Sequence, residues 1–168
     1  GSARDMMRMV NDILALIELQ AGKLYPRREP FSLRGLFDSL RAAAEVHVQG
    51  LQVRWQCEAR GGELLCNRDT LVGTVLNLVE NAIQACGPEL RLKVHLYARA
   101  DSLRLSVSDN GPGMDPATLA RLGEPFFTTK TTGTGLGLAV VKAVARAHQG
   151  QLQLRSRPGR GTCATLIL

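Results

Sequence analysis

The feature that most restricts the fold is a pair of alternating segments with almost no chain between them. Residues 90–98 (LRLKVHLYA) and 102–110 (SLRLSVSDN) each alternate apolar and polar side chains, and only residues 99–101 join them. A connection this short predicts an antiparallel hairpin, since a parallel crossover needs about a dozen residues or more. The chain is therefore not a strict βαβ repeat, which argues against a doubly wound dinucleotide-binding fold.

Helical and strand patterns mix along the rest of the chain. Ser32 and Asn67 stand where N-cap residues belong, and the patterns after them predict helices to about Gln49 and Cys86. One further helix is predicted at residues 136–148, and further strands at 51–59, 63–67, 150–157 and 162–168. This order predicts an α+β fold, a two-layer α/β sandwich with helices on one face of a mixed, mostly antiparallel sheet.

An amphipathic helix precedes this domain. Heptad spacing relates Met6, Met9, Ile13, Leu16 and Gln20, and Val10 and Ile17 widen the apolar stripe. The stripe needs a partner helix, from preceding sequence or from a second copy, and packing on its own domain is the alternative. Residues 23–30 are typical of a linker, so we expect three parts: 1–22, the linker and a domain at 31–168. The leading Gly1 and Ser2 resemble a cloning remnant, which favours a fragment of a longer protein.

Composition excludes several classes of function. The net charge of +6 suits nucleic acid, but the basic residues are dispersed and aromatic residues make up only 4% of the chain. A solvated basic surface that also suits an anionic ligand is favoured over nucleic-acid binding. The four cysteines and three histidines lack the spacing of a zinc site, which favours idle thiols in a reducing compartment. No apolar run reaches the roughly 20 residues that a membrane helix needs.

A polar stripe interrupts the predicted helix at residues 67–86. Asn77, Glu80, Asn81 and Gln84 follow helical spacing on a helix that is otherwise largely apolar. A solvated face explains Glu80 and Gln84 as well as a site does. For the two asparagines a site is favoured, because an amide oxygen is a hard, neutral ligand suited to Mg²⁺.

Two glycine-rich stretches follow the hairpin. In SDNGPGM (108–114), Asp109 leaves a strand just before Gly111 and Gly113, which allows close backbone approach to a flat ligand; a plain turn is the alternative. In residues 133–137 (GTGLG), glycines alternate where a helix begins, so backbone N–H groups can face phosphates, with Lys130 adding positive charge. Neither G-x-G-x-x-G after a strand nor G-x-x-x-x-G-K-[ST] is present, so a different nucleotide-binding architecture is needed.

Taken together, these motifs resemble the catalytic ATP-binding domain of sensor histidine kinases, in the superfamily that includes gyrase B, Hsp90 and MutL. The family's boxes occur in order: N at 77–81 (NLVEN), G1 at 109–113 (DNGPG), F at 124–130 (EPFFTTK), G2 at 133–138 (GTGLGL), and a late GRGT at 159–162. The resemblance covers residues 31–168 and implies a sandwich of the Bergerat type. The wording around the G2 box looks most like the nitrogen-regulation-type kinases.

The resemblance implies a role for each site residue. Asp109 would read the adenine amino group, with Thr162 nearby and Gly111 and Gly113 giving backbone approach. Asn81 would hold Mg²⁺ against the ATP phosphates, supported by Asn77. Phosphate contacts would come from Lys130, Gly133, Thr134, Gly135, Leu136 and Gly137. Asn77, Asn81 and Lys130 form the implied catalytic group, and residues 115–134 the mobile ATP lid.

Asn77 helps to choose between reaction types. Hydrolases of the superfamily usually carry a glutamate there as general base, whereas an amide cannot take a proton at neutral pH. We therefore expect a protein histidine kinase rather than an ATPase. The phosphoacceptor motif, His-Glu or His-Asp before Arg-Asn-Pro-Leu, does not occur in the 168 residues. Residues 1–22 resemble the end of the second helix of the dimerisation and phosphotransfer domain, so the acceptor is expected on an absent part of the protein.

Partners and location also come from the resemblance. It implies two partners: a helical phosphoacceptor domain of the same protein and a response regulator. The subgroup implies a response regulator of the enhancer-dependent transcription type. The resemblance also implies a homodimeric parent protein with this domain in the cytoplasm. Two alternatives remain: an ATP-hydrolysing or anti-sigma-kinase relative, and a nucleotide-gated docking module without enzymatic activity.

Overall fold

The computed structural model describes residues 2–20, 29–59, 61–99, 102–122, 124 and 137–168. The helices in these ranges are α1 (Ser2–Gln20), α2 (Leu33–Ala44), α3 (Arg68–Cys86), α4 (Pro116–Arg121) and α5 (Gly137–Ala147), with a 3₁₀ turn at Gly87–Glu89. The strands are β1 (Glu29–Ser32), β2 (Gln52–Glu58), β3 (Glu63–Cys66), β4 (Arg91–Arg99), β5 (Ser102–Asp109), β6 (Gln151–Ser156) and β7 (Thr162–Ile167). All predicted elements are present; β1, which begins inside the range assigned to the linker, and α4 are additional.

Five of the strands form the main sheet. Their order is β2-β4-β5-β7-β6, with β2 parallel to β4 and the other neighbours antiparallel. β1 and β3 form a separate antiparallel pair. The predicted hairpin is the β4–β5 pair, which runs in register from Leu92 opposite Asp109 to Arg99 opposite Ser102. The prediction of a mixed, mostly antiparallel sheet is confirmed.

The helical layer and one face of the sheet share a single core. Alternate side chains of the hairpin are buried, among them Leu92, Val94, Leu96, Leu105 and Val107. They pack in one cluster with α2, α3 and α5, so the helices cover this face as the sequence predicts. Each fully buried leucine contributes about 1.5–3 kcal/mol relative to an exposed one. This core fixes the end of β5 against the end of α3.

Both predicted N-caps are confirmed. The Ser32 hydroxyl accepts a hydrogen bond from Gly35 N–H at 3.0 Å, and the Asn67 amide oxygen accepts one from Thr70 N–H at 2.9 Å. The predicted end of α2 near Gln49 is wrong, since the helix ends at Ala44. The reason is a tighter turn, in which His47 N–H donates to the Ala44 carbonyl three residues back.

His148 ties the end of α5 to the start of α3. The ring is buried, its Nε2 accepts from Asn67 N–H at 3.3 Å, and its Nδ1 lies 2.9 Å from the Val144 carbonyl. Because Asn67 N–H can only donate, the ring proton belongs on Nδ1, which donates to Val144. Both ring nitrogens therefore serve the fold.

The α1 helix contacts α5 and still exposes part of its apolar stripe. Met6, Val10 and Ile17 of the stripe keep between 45% and 66% of their surface exposed, and Leu14, which is outside the predicted stripe, is 50% exposed. An apolar stripe left open on a helix marks a surface suited to a further protein contact. Among the described helices, none combines the length and apolar character needed to cross a bilayer.

Candidate nucleotide site

Asp109 is the centre of the candidate site. It ends β5, and its Oδ1 accepts hydrogen bonds from Gly111 N–H at 2.9 Å and Thr162 N–H at 3.1 Å. The first bond closes the turn after the strand, and the second joins that turn to the start of β7. Two backbone donors on one oxygen fix the half-buried carboxylate in position and orient its other oxygen. The structure thus brings Asp109 and Gly111 next to Thr162, although Asp109 and Thr162 are 53 residues apart in the sequence.

Neighbouring protein atoms lie so close to the two glycines after Asp109 that neither position has space for a side chain. Gly113 has φ +70°, and a side chain there would collide with the Arg157 carbonyl oxygen. At Gly111 a Cβ would collide with the Cys86 thiol and come within 3.0 Å of Asp109 Oδ1. Any larger residue at either position would displace the carboxylate or the neighbouring loop. This is a more demanding arrangement than a plain turn.

Ser156 lies in the candidate site, and the sequence reasoning missed it. Its hydroxyl accepts from Met114 N–H at 2.8 Å, donates to the Gly161 carbonyl at 3.0 Å and lies 2.9 Å from the Thr162 hydroxyl. It therefore joins the loop after Asp109 to the turn between β6 and β7. The only signal in the sequence is its place at the end of a predicted strand, six residues before Thr162, and that signal is too weak to single it out.

Cys86, expected to be an idle thiol, lies against the central carboxylate. Burial, the charge of Asp109 and a hydrogen bond to it together raise the pKa of this thiol to about 11, with burial as the largest cause. The proton therefore stays on sulfur at neutral pH, where the thiol can donate to Asp109. All four cysteines are free thiols, as expected.

We expect the alkylation of Cys86 by iodoacetamide to report this contact. Only the thiolate reacts, so with a pKa near 11 the rate should rise about tenfold per pH unit from pH 8 to pH 10 without a plateau. Asp109→Asn removes the neighbouring charge and lowers the pKa, so it should speed the reaction at pH 8, whereas Asp69→Asn on the exposed start of α3 should not. Residue-resolved mass spectrometry measures the rates. A plateau near pH 9 would contradict the assignment.

Asn77 and Asn81 lie on α3, which ends at Cys86 beside Asp109. They are one turn apart on α3 and half-buried, while Leu71, Val75 and Leu78 of the same helix are buried in the core. In the described residues no three His, Cys, Asp or Glu side chains cluster as a metal site. The amide oxygens of the two asparagines fit an ion that takes few protein ligands and leaves its other positions to phosphate and water, as Mg²⁺ does.

The phosphate-contacting part of the predicted site is described only at its end. Gly137 begins α5, as predicted, whereas Lys130, Gly133, Thr134, Gly135 and Leu136 lie outside the described residues. The described beginning of the predicted lid contains α4, capped by Asp115, and the Lys142 ammonium of α5 donates to the Leu122 carbonyl at 3.1 Å. This bond ties the end of α4 to the helix that starts at Gly137.

Comparisons with known proteins confirm the family that the sequence motifs predict. A profile of histidine kinase-, DNA gyrase B- and HSP90-like ATPases matches residues 66–168. The chain is 85% identical over 164 residues to the sensor protein kinase FleS of Pseudomonas aeruginosa, covering 98% of this chain and 40% of FleS. It is 33% identical over 157 residues to the sensory histidine kinase/phosphatase NtrB of Rhizobium meliloti, covering 83% of this chain and 41% of NtrB. The chain thus spans about two fifths of the length of each relative.

A solved structure has the same architecture. Full-length ShkA in complex with AMPPNP superposes with a TM-score of 0.84 at 25% identity, covering 99% of this chain and 36% of that chain. The profile match spans α3, both glycine-rich stretches and β7, and so includes the residues of the candidate site. The chain belongs to the histidine kinase-, DNA gyrase B- and HSP90-like ATPase family, as a histidine kinase catalytic domain.

Proposed function

We propose that this domain binds Mg-ATP between α3 and the loops after β5 and β6, and transfers the γ-phosphoryl group to a histidine on a helical phosphoacceptor domain, for relay to a response regulator. The observation that carries the proposal is the Asp109 carboxylate, which two backbone N–H groups hold in position beside a compact turn whose glycines leave no space for a side chain.

In this proposal Asp109 recognises adenine. One carboxylate oxygen is occupied by Gly111 and Thr162, and the other is free of backbone donors in the described geometry, so it can accept from the exocyclic amino group of the base. A carboxylate accepts but does not donate, which favours adenine over a base with a carbonyl at that position. Gly111 and Gly113 would contribute by keeping the turn next to the base compact, because protein atoms occupy the space that a Cβ would take at each of them.

The phosphates would lie along α3 and the start of α5. Asn81 would provide a protein ligand to Mg²⁺, supported by Asn77, and a bound Mg²⁺ would neutralise phosphate charge. Lys130 would add a positive charge, and the backbone of Gly133, Thr134, Gly135, Leu136 and Gly137 would donate to phosphate oxygens at a helix start. These residues bind and orient; none of them needs to form a covalent bond.

The proposed phosphate-binding residues are suited to transfer of the γ-phosphoryl group to a nitrogen of a protein side chain. A histidine nitrogen of the acceptor would attack the γ-phosphorus, the bond to the bridging oxygen would break, and ADP would leave with that electron pair. Positioning and charge neutralisation supply most of the catalysis in such a step. Since Asn77 cannot act as a general base, water is not activated by this residue, which favours transfer over hydrolysis.

The parent protein is proposed to be a homodimeric sensor kinase with this domain in the cytoplasm. The exposed apolar stripe of α1 supports a bundle contact with other helices of a dimerisation and phosphotransfer domain, with residues 1–22 as its end, 23–30 as linker and 31–168 as catalytic domain. Similarity to NtrB supports the nitrogen-regulation-type subgroup, and with it a response regulator of enhancer-dependent transcription. Nucleic acid is not a proposed partner.

Incubation with γ-labelled ATP tests this function. We expect no stable label on His47, His95 or His148 of this chain, and labelling of a separately supplied phosphoacceptor domain from a relative such as FleS. His148 has both ring nitrogens engaged in the fold, so it is a poor acceptor. Steady phosphate release without transfer would instead support an ATPase relative, and ATP binding with neither reaction would support a docking module.

Ser156→Ala should weaken ATP binding without preventing folding. The change leaves Met114 N–H and the Gly161 carbonyl without their partner, so the loops on either side of Asp109 lose their shared anchor. A loss of about 1 kcal/mol corresponds to about fivefold weaker binding, which titration calorimetry can measure. Ser102→Ala, at the exposed start of β5, is the control and should bind normally. Unchanged affinity in Ser156→Ala would remove Ser156 from the site.

A further inference from the structure

The face of the main sheet that points away from the helices is strongly basic. The strand register places on it the side chains that alternate with the buried ones, including five cations: Arg54, Arg91, Lys93, Arg104 and Arg155. We call these five residues the basic sheet face. Among the described residues on the same side, Glu58 carries the only carboxylate. All five cationic residues are exposed or half-exposed.

Neighbouring acids do not neutralise this charge. Glu58 is already engaged, since it accepts from Gln56 Nε2 at 2.6 Å and lies 3.3 Å from His95 Nε2. Among the described residues, no ion pair joins any member of the basic sheet face to an acid. Arg54 moreover lies directly opposite Lys93 in the β2–β4 pair, and like charges in directly opposite positions destabilise a sheet. The repulsion between these cations destabilises the sheet, and an anionic partner bound to this face would reduce it.

A groove lies at one end of this face. It has a volume of about 700 Å³ and runs where β2 and β4 begin and β5 ends. Arg54, Arg91 and Lys93 line it, together with Ser108, Asp109 and Asn110. It therefore combines a concave surface and three cations with neutral hydrogen-bonding groups and one acidic residue. Because Asp109 lines it and neither Asn77 nor Asn81 does, the groove adjoins the Asp109 end of the candidate nucleotide site and is separate from the phosphate end.

We propose that the basic sheet face is a docking surface for an acidic segment of a partner protein, whose carboxylates would pair with Arg54, Arg91 and Lys93 along the groove. Charge complementarity argues for an acidic occupant. Protein is favoured over nucleic acid because sheets that bind single strands stack bases on aromatic side chains, and Tyr97 is the only aromatic residue besides His95 among the described positions of this face.

Fluorescence anisotropy with two labelled probes tests the proposal on the intact 168-residue chain. The probes are a decaglutamate peptide and a ten-nucleotide oligothymidylate, both titrated at low salt with saturating ATP so that the nucleotide site is filled. We expect the peptide to bind the natural chain and to bind the double variant Arg54→Glu/Lys93→Glu at least about tenfold more weakly. The double variant Arg54→Gln/Lys93→Gln should lie between them.

A charge-matched control makes the result specific. Arg34→Glu/Arg146→Glu changes the net charge equally on the helical layer and should reduce peptide binding by less than about twofold. Circular dichroism should show the same secondary structure in all three variants, which verifies that they are folded. An equal loss in the control, tighter binding of the oligonucleotide than of the peptide, or no peptide binding to the natural chain would each overturn the proposal.

Discussion

Replacing Asp109 with asparagine should weaken ATP binding by at least about 100-fold, or about 3 kcal/mol. The reason lies in the two backbone donors on Oδ1. Gly111 N–H and Thr162 N–H require an acceptor, so the amide oxygen of the substituted side chain would face them and its NH₂ group would face the base. That group would oppose the adenine amino group, donor against donor, where the carboxylate accepts.

Titration calorimetry on the isolated chain measures this loss. Asp69→Asn is the matched control, since it makes the same charge change at an exposed position in the first turn of α3 and should leave ATP affinity within about twofold. Thermal unfolding of Asp109→Asn should stay close to that of the natural chain, because the amide oxygen keeps both backbone hydrogen bonds. Equal affinities for Asp109→Asn and the natural chain would refute adenine recognition by this residue.

Local signals predicted most of the fold. The hairpin followed from period-two alternation with three connecting residues, and the starts of α2 and α3 followed from Ser32 and Asn67. The predicted end of α2 was wrong because the composition of residues 45–49 is still compatible with a helix. The turn that ends the helix at Ala44 depends on tertiary structure, which the local sequence does not show. The β1 strand has no alternation of its own; its pairing with β3 defines it, and pairing is not local information.

The sequence predicted those residues of the candidate site that belong to a family motif, and it did not predict those that tertiary packing brings there. Asp109 and Thr162 were identified because each belongs to a glycine-containing box of the family. Cys86 and Ser156 belong to no such pattern, and they contact the site only because α3 ends beside β5 and because β6 pairs with β7. A thiol near a carboxylate and a serine between two loops become visible only when the sheet register is known.

The second large effect is expected at Asn81. In Asn81→Ala, phosphoryl transfer to a supplied phosphoacceptor domain should fall about 1,000-fold, or about 4 kcal/mol in the barrier, since charge neutralisation at the phosphates contributes most of the catalysis. Gln84→Ala, an exposed change on the same helix, is the control and should retain activity. ATP affinity of Asn81→Ala should also become insensitive to whether Mg²⁺ or a chelator is present. If Asn81→Ala transfers phosphate at the natural rate with an unchanged dependence on Mg²⁺, another residue holds the ion. Asn77, half-buried one turn earlier on α3, would then be the next ligand to test.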